Sequence, residues 1–347
     1  MAASVSVIVP TFNRARWLGN AIRSALQQLQ AGDELIVIDD GSTDDTREVV
    51  AAFGERVTYV RGEHRGAGPA RNLGLARARG DLVAFLDDDD EWLPGKLARQ
   101  RAFLDAHPDV LFCFSDFQVV TGDGEVQHRF LRHWRHDARS FRDMFGPPER
   151  IAGCDVYVGD LYVWQLTGLY VLANTLVVRR AAAGDALHFA EDLQTYEDVE
   201  CFIRLSRQGK AAYFDLETAQ QTDRAAGRLS QLSLITKLRC HLAILERQYG
   251  RDAEFLATHR LVYERTIRQM QAQLLRLQIL RGDLAGARHT LAALPHAPLH
   301  LWLVLHLPDP WIGRALEGYR RVHTTAGRWL QEPSGSRARH APSHSPP

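Results

Sequence analysis

Five consecutive acidic residues, Asp87-Asp88-Asp89-Asp90-Glu91, follow the apolar run Leu82-Val83-Ala84-Phe85-Leu86 and are closed by Trp92-Leu93-Pro94. Carboxylates pinned a few ångströms apart by such flanks repel one another unless a cation lies between them. An oxygen-only donor set suits Mg2+ or Mn2+, with water and substrate phosphates completing the shell. Taken alone, the run also reads as a solvated acidic loop. A second cluster, Asp39-Asp40-Gly41-Ser42-Thr43, follows the β-rich run Glu34-Leu35-Ile36-Val37-Ile38. Asp-Gly-Ser often marks a turn before a helix; a carboxylate at a strand end can also accept the N3–H of a pyrimidine or bond a ribose hydroxyl. Pro10-Thr11-Phe12-Asn13, directly after Val5-Ser6-Val7-Ile8-Val9, could offer backbone groups on the other side of such a base.

Each of these clusters needs an element to hold it. Between the first two β-rich runs, Trp17, Leu18, Ala21, Ile22, Ala25, Leu26 and Leu29 recur at helical spacing. Thr43-Asp44-Asp45-Thr46 can cap a helix carrying Val49, Val50 and Phe53, and Val57-Thr58-Tyr59-Val60 reads as the next strand. Ala70 to Arg79 reads as a helix before the apolar strand that ends at Leu86. Strands alternating with helices predict a mostly parallel sheet flanked by helices, an α/β fold. Ligands of such sheets bind beyond the carboxyl ends of the strands, where all three polar clusters fall.

In order along the chain, SVIVPTFNR, IVIDDGSTDDT, GPARNLGLARARGD and VAFLDDDDEWLPGKL resemble family 2 glycosyltransferases with a GT-A-type domain, over about residues 4–225. The resemblance implies that Pro10, Thr11, Phe12, Asn13 and Asp39 line a nucleoside pocket, with Arg71 near the base or phosphates. It implies that Asp87 to Asp89 match the family's Asp-x-Asp motif, with Asp87 or Asp88 toward ribose and metal and Asp89 on the metal. The fourth aspartate leaves the register within the run open by one position. Thr195-Tyr196-Glu197-Asp198-Val199 resembles the family's Glu-Asp helix start, which implies Asp198 as general base; by itself an acidic first turn is stabilised by the helix dipole and needs no further role. Asn174 to Arg180 fits the acceptor-side strand. Arg224, in Gln220-Gln221-Thr222-Asp223-Arg224, is the candidate for neutralising the leaving diphosphate.

The activity implied is inverting transfer of a sugar from a nucleotide-diphosphate donor, UDP-sugars favoured, to a hydroxyl of a glycan, lipid-linked or small-molecule acceptor. The alternative is a non-catalytic nucleotide-binding or regulatory protein on the same fold. A receiver-like regulator also gathers aspartates around Mg2+, but has no use for the Glu-Asp helix start or the Pro-Thr-Phe-Asn segment. A dinucleotide oxidoreductase fits less well still, because no Gly-x-Gly-x-x-Gly follows the first strand.

The 347 residues carry 42 basic and 42 acidic side chains, so no global charge attracts nucleic acid. Cys113, Cys154, Cys201 and Cys240 form no Cys-x-x-Cys pair, which argues against a zinc ribbon or disulfide framework. With no signal-peptide pattern and no apolar run of the ~20 residues that cross a bilayer, a cytoplasmic protein is expected. The expected organisation is a GT-A domain over 1–228 (donor half 1–115, acceptor half 116–228), a helical region over 229–330 and a disordered tail over 331–347. The basic aromatic stretch from His128 to Arg142 reads either as a grip on a lipid diphosphate or anionic glycan acceptor or as a solvated basic helix. Peripheral contact with the inner face of the membrane is weighed, against packing on the catalytic domain, for the C-terminal piece that carries Trp302, Trp311 and Trp329 beside Arg314, Arg320 and Arg321.

Overall fold

The computed structural model describes residues 2–131, 140–222 and 232–294, with residues 302, 303, 305 and 311. The strands are β1 (Val5–Thr11), β2 (Glu34–Asp39), β3 (Thr58–Arg61), β4 (Leu82–Phe85), β5 (Glu91–Trp92), β6 (Val110–Val120), β7 (Val126–Gln127), β8 (Glu149–Ile151), β9 (Cys154–Gly159), β10 (Val177–Arg179) and β11 (Lys210–Thr222). They form one sheet ordered β3-β2-β1-β4-β10-β6-β11-β9-β8, with β5 on β11 and β7 on β6. Val7, Ile8, Val9, Leu35 to Ile38 and Leu82 to Leu86 are all buried. These runs are apolar without alternation because helices cover both faces of the central strands.

The β3-β2-β1-β4 portion is parallel throughout, as the strand-helix alternation predicts. Beyond it the sheet is mixed rather than mostly parallel: of the ten pairings described, six are antiparallel. Two of the six involve β10, a largely buried three-residue strand that returns late in the chain and inserts antiparallel between β4 and β6; the others join β5 and β9 to β11, β7 to β6 and β8 to β9. Nothing in the local sequence of β10 reveals its direction.

The helices that bear on the site are α1 (Ala15–Leu26), α2 (Thr46–Ala51), α3 (Ala67–Leu75), α4 (Lys96–Ala106) and α5 (Glu197–Gln208). Helix α1 stops short of Leu29. Helix α3 begins three residues before the expected Ala70 and ends at Leu75, because residues 76–79 turn the chain toward β4. That turn runs against β1: a Cβ on Gly80 would lie 2.5 Å from the Ser6 backbone nitrogen and 2.8 Å from the Val5 carbonyl carbon. Backbone cannot move aside as a side-chain tip can, so Gly80→Ala should cost about 1–3 kcal/mol. Urea denaturation checks this; a loss below about 0.5 kcal/mol, within the range of a neutral surface change, would mean that the packing is looser than described.

One compact unit spans Met1–Ile267 and a second Arg268–Pro347. Helix α6 (Leu234–Gln248) belongs to the first unit; α7 (Ala253–Arg281) contains a non-helical residue, His259, and α8 (Leu284–Ala292) follows. The region after residue 229 is therefore helical where described. In the second unit Leu275, Ile279, Ala287, Leu291 and Leu305 form a small apolar core, and the Asp283 carboxylate caps α8 by accepting from Gly286 N at 2.9 Å. No helix among the described residues is long and apolar enough to cross a membrane. The tail from 331, Trp329, Arg314, Arg320 and Arg321 lie outside the described residues.

Candidate active site

The carboxyl ends of β1 and β2 are laced together. Asn13 takes the left-handed conformation (φ 52°), which Asn tolerates better than most residues. Its amide donates to Ser42 Oγ at 2.9 Å, and its side-chain oxygen accepts from Thr43 N at 2.7 Å. Pro10 and Thr11 are buried at the strand end, while Phe12 is exposed and stacks on the His64 ring with centroids 4.0 Å apart. Asp39 lies beneath this surface, fully buried: one carboxylate oxygen accepts from Ser42 N at 2.7 Å, the other from the Tyr59 hydroxyl at 2.5 Å. Asp40 instead turns to the loop before α3, accepting from the Arg65 and Gly66 amides at 2.9 and 2.7 Å.

The acidic loop after β4 is paired with arginines. Arg71, on α3, donates to Asp87 at 2.8 Å and to Glu197 at 2.6 Å. Arg14, which starts α1, donates to Asp89 at 2.8 Å. Glu197 and Asp198 open α5 directly after Tyr196, whose left-handed backbone (φ 65°) is a conformation that side chains rarely adopt. Such strain recurs at functional sites. Here it starts a helix whose first carboxylate meets an arginine 126 positions earlier in the chain. Burial and then Glu197 push the Asp198 carboxyl up to about 7, against the partial pull of Arg71. Burial, followed by Asp89, pushes Asp88 up to about 7 as well. The Arg71 guanidinium is held in its charged form by Asp87 and Glu197 despite burial.

The far side of the loop is braced. Asn174 Nδ2 donates to Asp90 at 2.6 Å. The turn bearing Asn174 is held by Trp92 Nε1 on Asn174 O at 2.8 Å, and by Lys96 Nζ and Gln100 Nε2 on Thr175 O at 3.0 and 2.9 Å. Lys96 is buried with amide and carbonyl oxygens as its bonded partners, and burial pushes its ammonium down to about 7. A cavity of 220 Å³ opens beside Asp89 and Asp90, lined also by Trp17, Asn20, Glu91 and Gln220.

The structure thus gathers Arg71, Asp87, Asp88, Asp89 and Asp198 at one site. Pro10 to Asn13 sit on the adjoining strand ends, and Asp39 is enclosed beneath them. Arg224 lies outside the described residues, as do Arg132, Trp134, Arg135 and Arg139 of the basic stretch. The described start of that stretch packs on the sheet through Arg129–Asp215 at 2.8 Å. Three contributors escaped sequence reasoning: Arg14, Glu197 as a partner of Arg71, and Asn174 as a brace for Asp90. For Arg14 a signal existed, a basic residue directly after the Pro-Thr-Phe-Asn segment; the other two pairings span 126 and 84 positions and leave no local trace.

No three metal-ligating side chains converge among the described residues. The charge balance nevertheless fits a divalent cation. Arg71 pairs with Asp87 and Glu197 and Arg14 pairs with Asp89, while Asp88 and Asp198 add their carboxyls beside these pairs. Such a site suits an ion that takes one or two carboxylates and completes its shell with phosphates and water.

The mixed sheet with flanking helices, with an acidic loop beyond a parallel strand and a carboxylate pair at a helix start, is a GT-A-like fold. Comparison with solved structures agrees on the fold. S. aureus TarS 1-349 in complex with UDP-GlcNAc aligns with a TM-score of 0.55 at 20% identity, covering 94% of this chain and 93% of that one. The mannosyltransferase PcManGT of Pyrobaculum calidifontis, in complex with GDP-Man and Mn2+, aligns at 0.52 and 18% identity, covering 96% and 89%. Residues 6–158 match the model of the family described as Glycosyl transferase family 2. Among curated relatives, the putative teichuronic acid biosynthesis glycosyltransferase TuaG of Bacillus subtilis is 36% identical over 132 residues, 37% of this chain and 52% of its own. The Escherichia coli UDP-Glc:alpha-D-GlcNAc-diphosphoundecaprenol beta-1,3-glucosyltransferase WfgD is 35% identical over 124 residues, 35% of this chain and 49% of its own. The chain thus spans about half the length of these two relatives, and 18% of an uncharacterized glycosyltransferase of Rickettsia bellii.

Proposed function

We propose that the protein is a metal-dependent, inverting glycosyltransferase that moves a sugar from a nucleotide-diphosphate donor, UDP-sugars first, to an acceptor hydroxyl. One observation carries the reading: a single buried guanidinium, Arg71, joins the acidic loop at Asp87 to the Glu197-Asp198 helix start. Donor-binding and base-bearing elements therefore share one cleft. The nucleoside would lie over the ends of β1 and β2, with Phe12 and its partner His64 as the exposed aromatic surface. Asp39 acts from beneath by holding the Ser42 turn. Asp87 and Asp89 would hold Mg2+ or Mn2+, which offsets charge on the leaving diphosphate when bound. Asp198, its carboxyl near 7, removes the acceptor proton as the hydroxyl attacks the anomeric carbon, and direct displacement inverts that centre. Arg71 keeps Glu197 and Asp87 in register while Asn174 fixes the end of the loop.

The acceptor class is taken as a glycan or lipid-linked glycan, in line with what the names of TuaG and WfgD say of those proteins. Incubation with UDP-, GDP-, dTDP- and CDP-sugars and Mn2+, with nucleotide release followed by a coupled assay, tests the activity. Release confined to one donor, with inverted configuration by proton NMR, supports the proposal. Retained configuration would overturn the mechanism, and no release or transfer from any donor would favour a non-catalytic nucleotide-binding protein. Localisation at the cytoplasmic membrane face rests on the exposed Trp302 and Trp311; failure to sediment with anionic liposomes would remove it.

A further inference from the structure

We infer that Arg14 is a resident counter-cation of the acidic loop, which makes metal binding at Asp89 depend on the arrival of the nucleotide diphosphate; this rests on the proposed donor site. The pair is well formed: Arg14 Nη1 lies 2.8 Å from Asp89 Oδ2, and the two side chains are only 16% and 8% exposed. Asp89 is the one carboxylate bonded by Arg14 among the described residues, whereas Arg71 is clamped between Asp87 and Glu197. The backbone of Arg14 serves α1 separately, its carbonyl accepting from Trp17 and Leu18 N. The side chain is thus free to change partner without disturbing the helix start.

Asp89 borders the 220 Å³ cavity, so an ion can reach its side of the loop. To give up the bonded oxygen, Asp89 must first lose a largely desolvated guanidinium, and breaking such a pair is unfavourable unless the arginine finds another anion. A diphosphate supplies that anion in the geometry that a guanidinium binds best. Metal and diphosphate are thereby linked: each lowers the cost of binding the other, and the linkage must be reciprocal.

The test uses the full chain with Mn2+, followed by the EPR signal of the free ion, with and without whichever of UDP, GDP, dTDP and CDP binds. Arg14→Gln should bind Mn2+ alone about tenfold more tightly than wild type, and the factor by which the nucleotide tightens Mn2+ should fall about tenfold, a coupling in the ordinary range. Arg14→Lys, which keeps the charge, should restore most of the coupling, and thermal unfolding of both variants checks that the fold is intact. Unchanged or weaker binding of Mn2+ alone by Arg14→Gln would overturn the inference while leaving the proposed function standing. So would a variant that loses nucleotide affinity but keeps wild-type Mn2+ affinity, since Arg14 would then be a phosphate ligand only. Wild type that binds Mn2+ with none of the four nucleotides would overturn both.

Discussion

Asp198→Asn should lower kcat about 10³-fold, the range set by loss of a positioned general base, while changing the affinity for donor nucleotide by less than about threefold. The substitution keeps shape while removing the ability to take a proton and the charge of the carboxylate. Glu197 still holds Arg71, so the donor side survives. The pH dependence has a definite sign. A base must be deprotonated to act, and burial with Glu197 raises Asp198 to about 7 in the metal-free protein, so activity should fall as pH drops through that region. A bound cation would stabilise the carboxylate, which moves the acid limb of kcat against pH below about 7, never above it. Near-normal turnover in Asp198→Asn, or a flat profile from pH 5 to 8, would remove Asp198 from this role.

Arg71→Met should destabilise the fold by about 3–5 kcal/mol, the cost of leaving buried charge without its partner. Methionine fills much of the volume, so the loss is chiefly electrostatic. Glu197 and Asp87 would lose the guanidinium they share, beside the Asp198 carboxyl. Chemical denaturation with and without excess Mn2+ separates the causes, because an ion bound to the same carboxylates should recover part of the loss. A deficit under about 1 kcal/mol, the size of an exposed pair, would show that Arg71 is not the electrostatic centre of the cleft.

The parallel half of the fold is legible in the sequence because its signals are local. Fully apolar strands, helical spacing between them and polar clusters at the strand ends fall within short windows, and β1, β2 and β4 emerge where expected. The mixed half is not legible: a three-residue strand such as β10 has no periodicity, and its direction is set by partners more than 60 positions away. The site divides in the same way. The acidic loop, Arg71 and Asp198 are visible as motifs, but the geometry that makes them one site, Arg71 between Asp87 and Glu197, is tertiary. Asp39 shows the limit from the other direction. Its place at a strand end suggests an open carboxylate, whereas the Ser42 amide and the Tyr59 hydroxyl fill its two oxygens.

The central claim, a metal-dependent donor site at the acidic loop, is tested most directly by isothermal titration with UDP, GDP, dTDP and CDP. Each nucleotide is run with Mn2+ and with chelator, on wild type and on Asp89→Ala. The account predicts that one diphosphate binds with Mn2+, at least about tenfold more weakly with chelator, and that Asp89→Ala abolishes the difference. Binding that ignores both chelator and Asp89→Ala, or no binding by the folded protein, would contradict it.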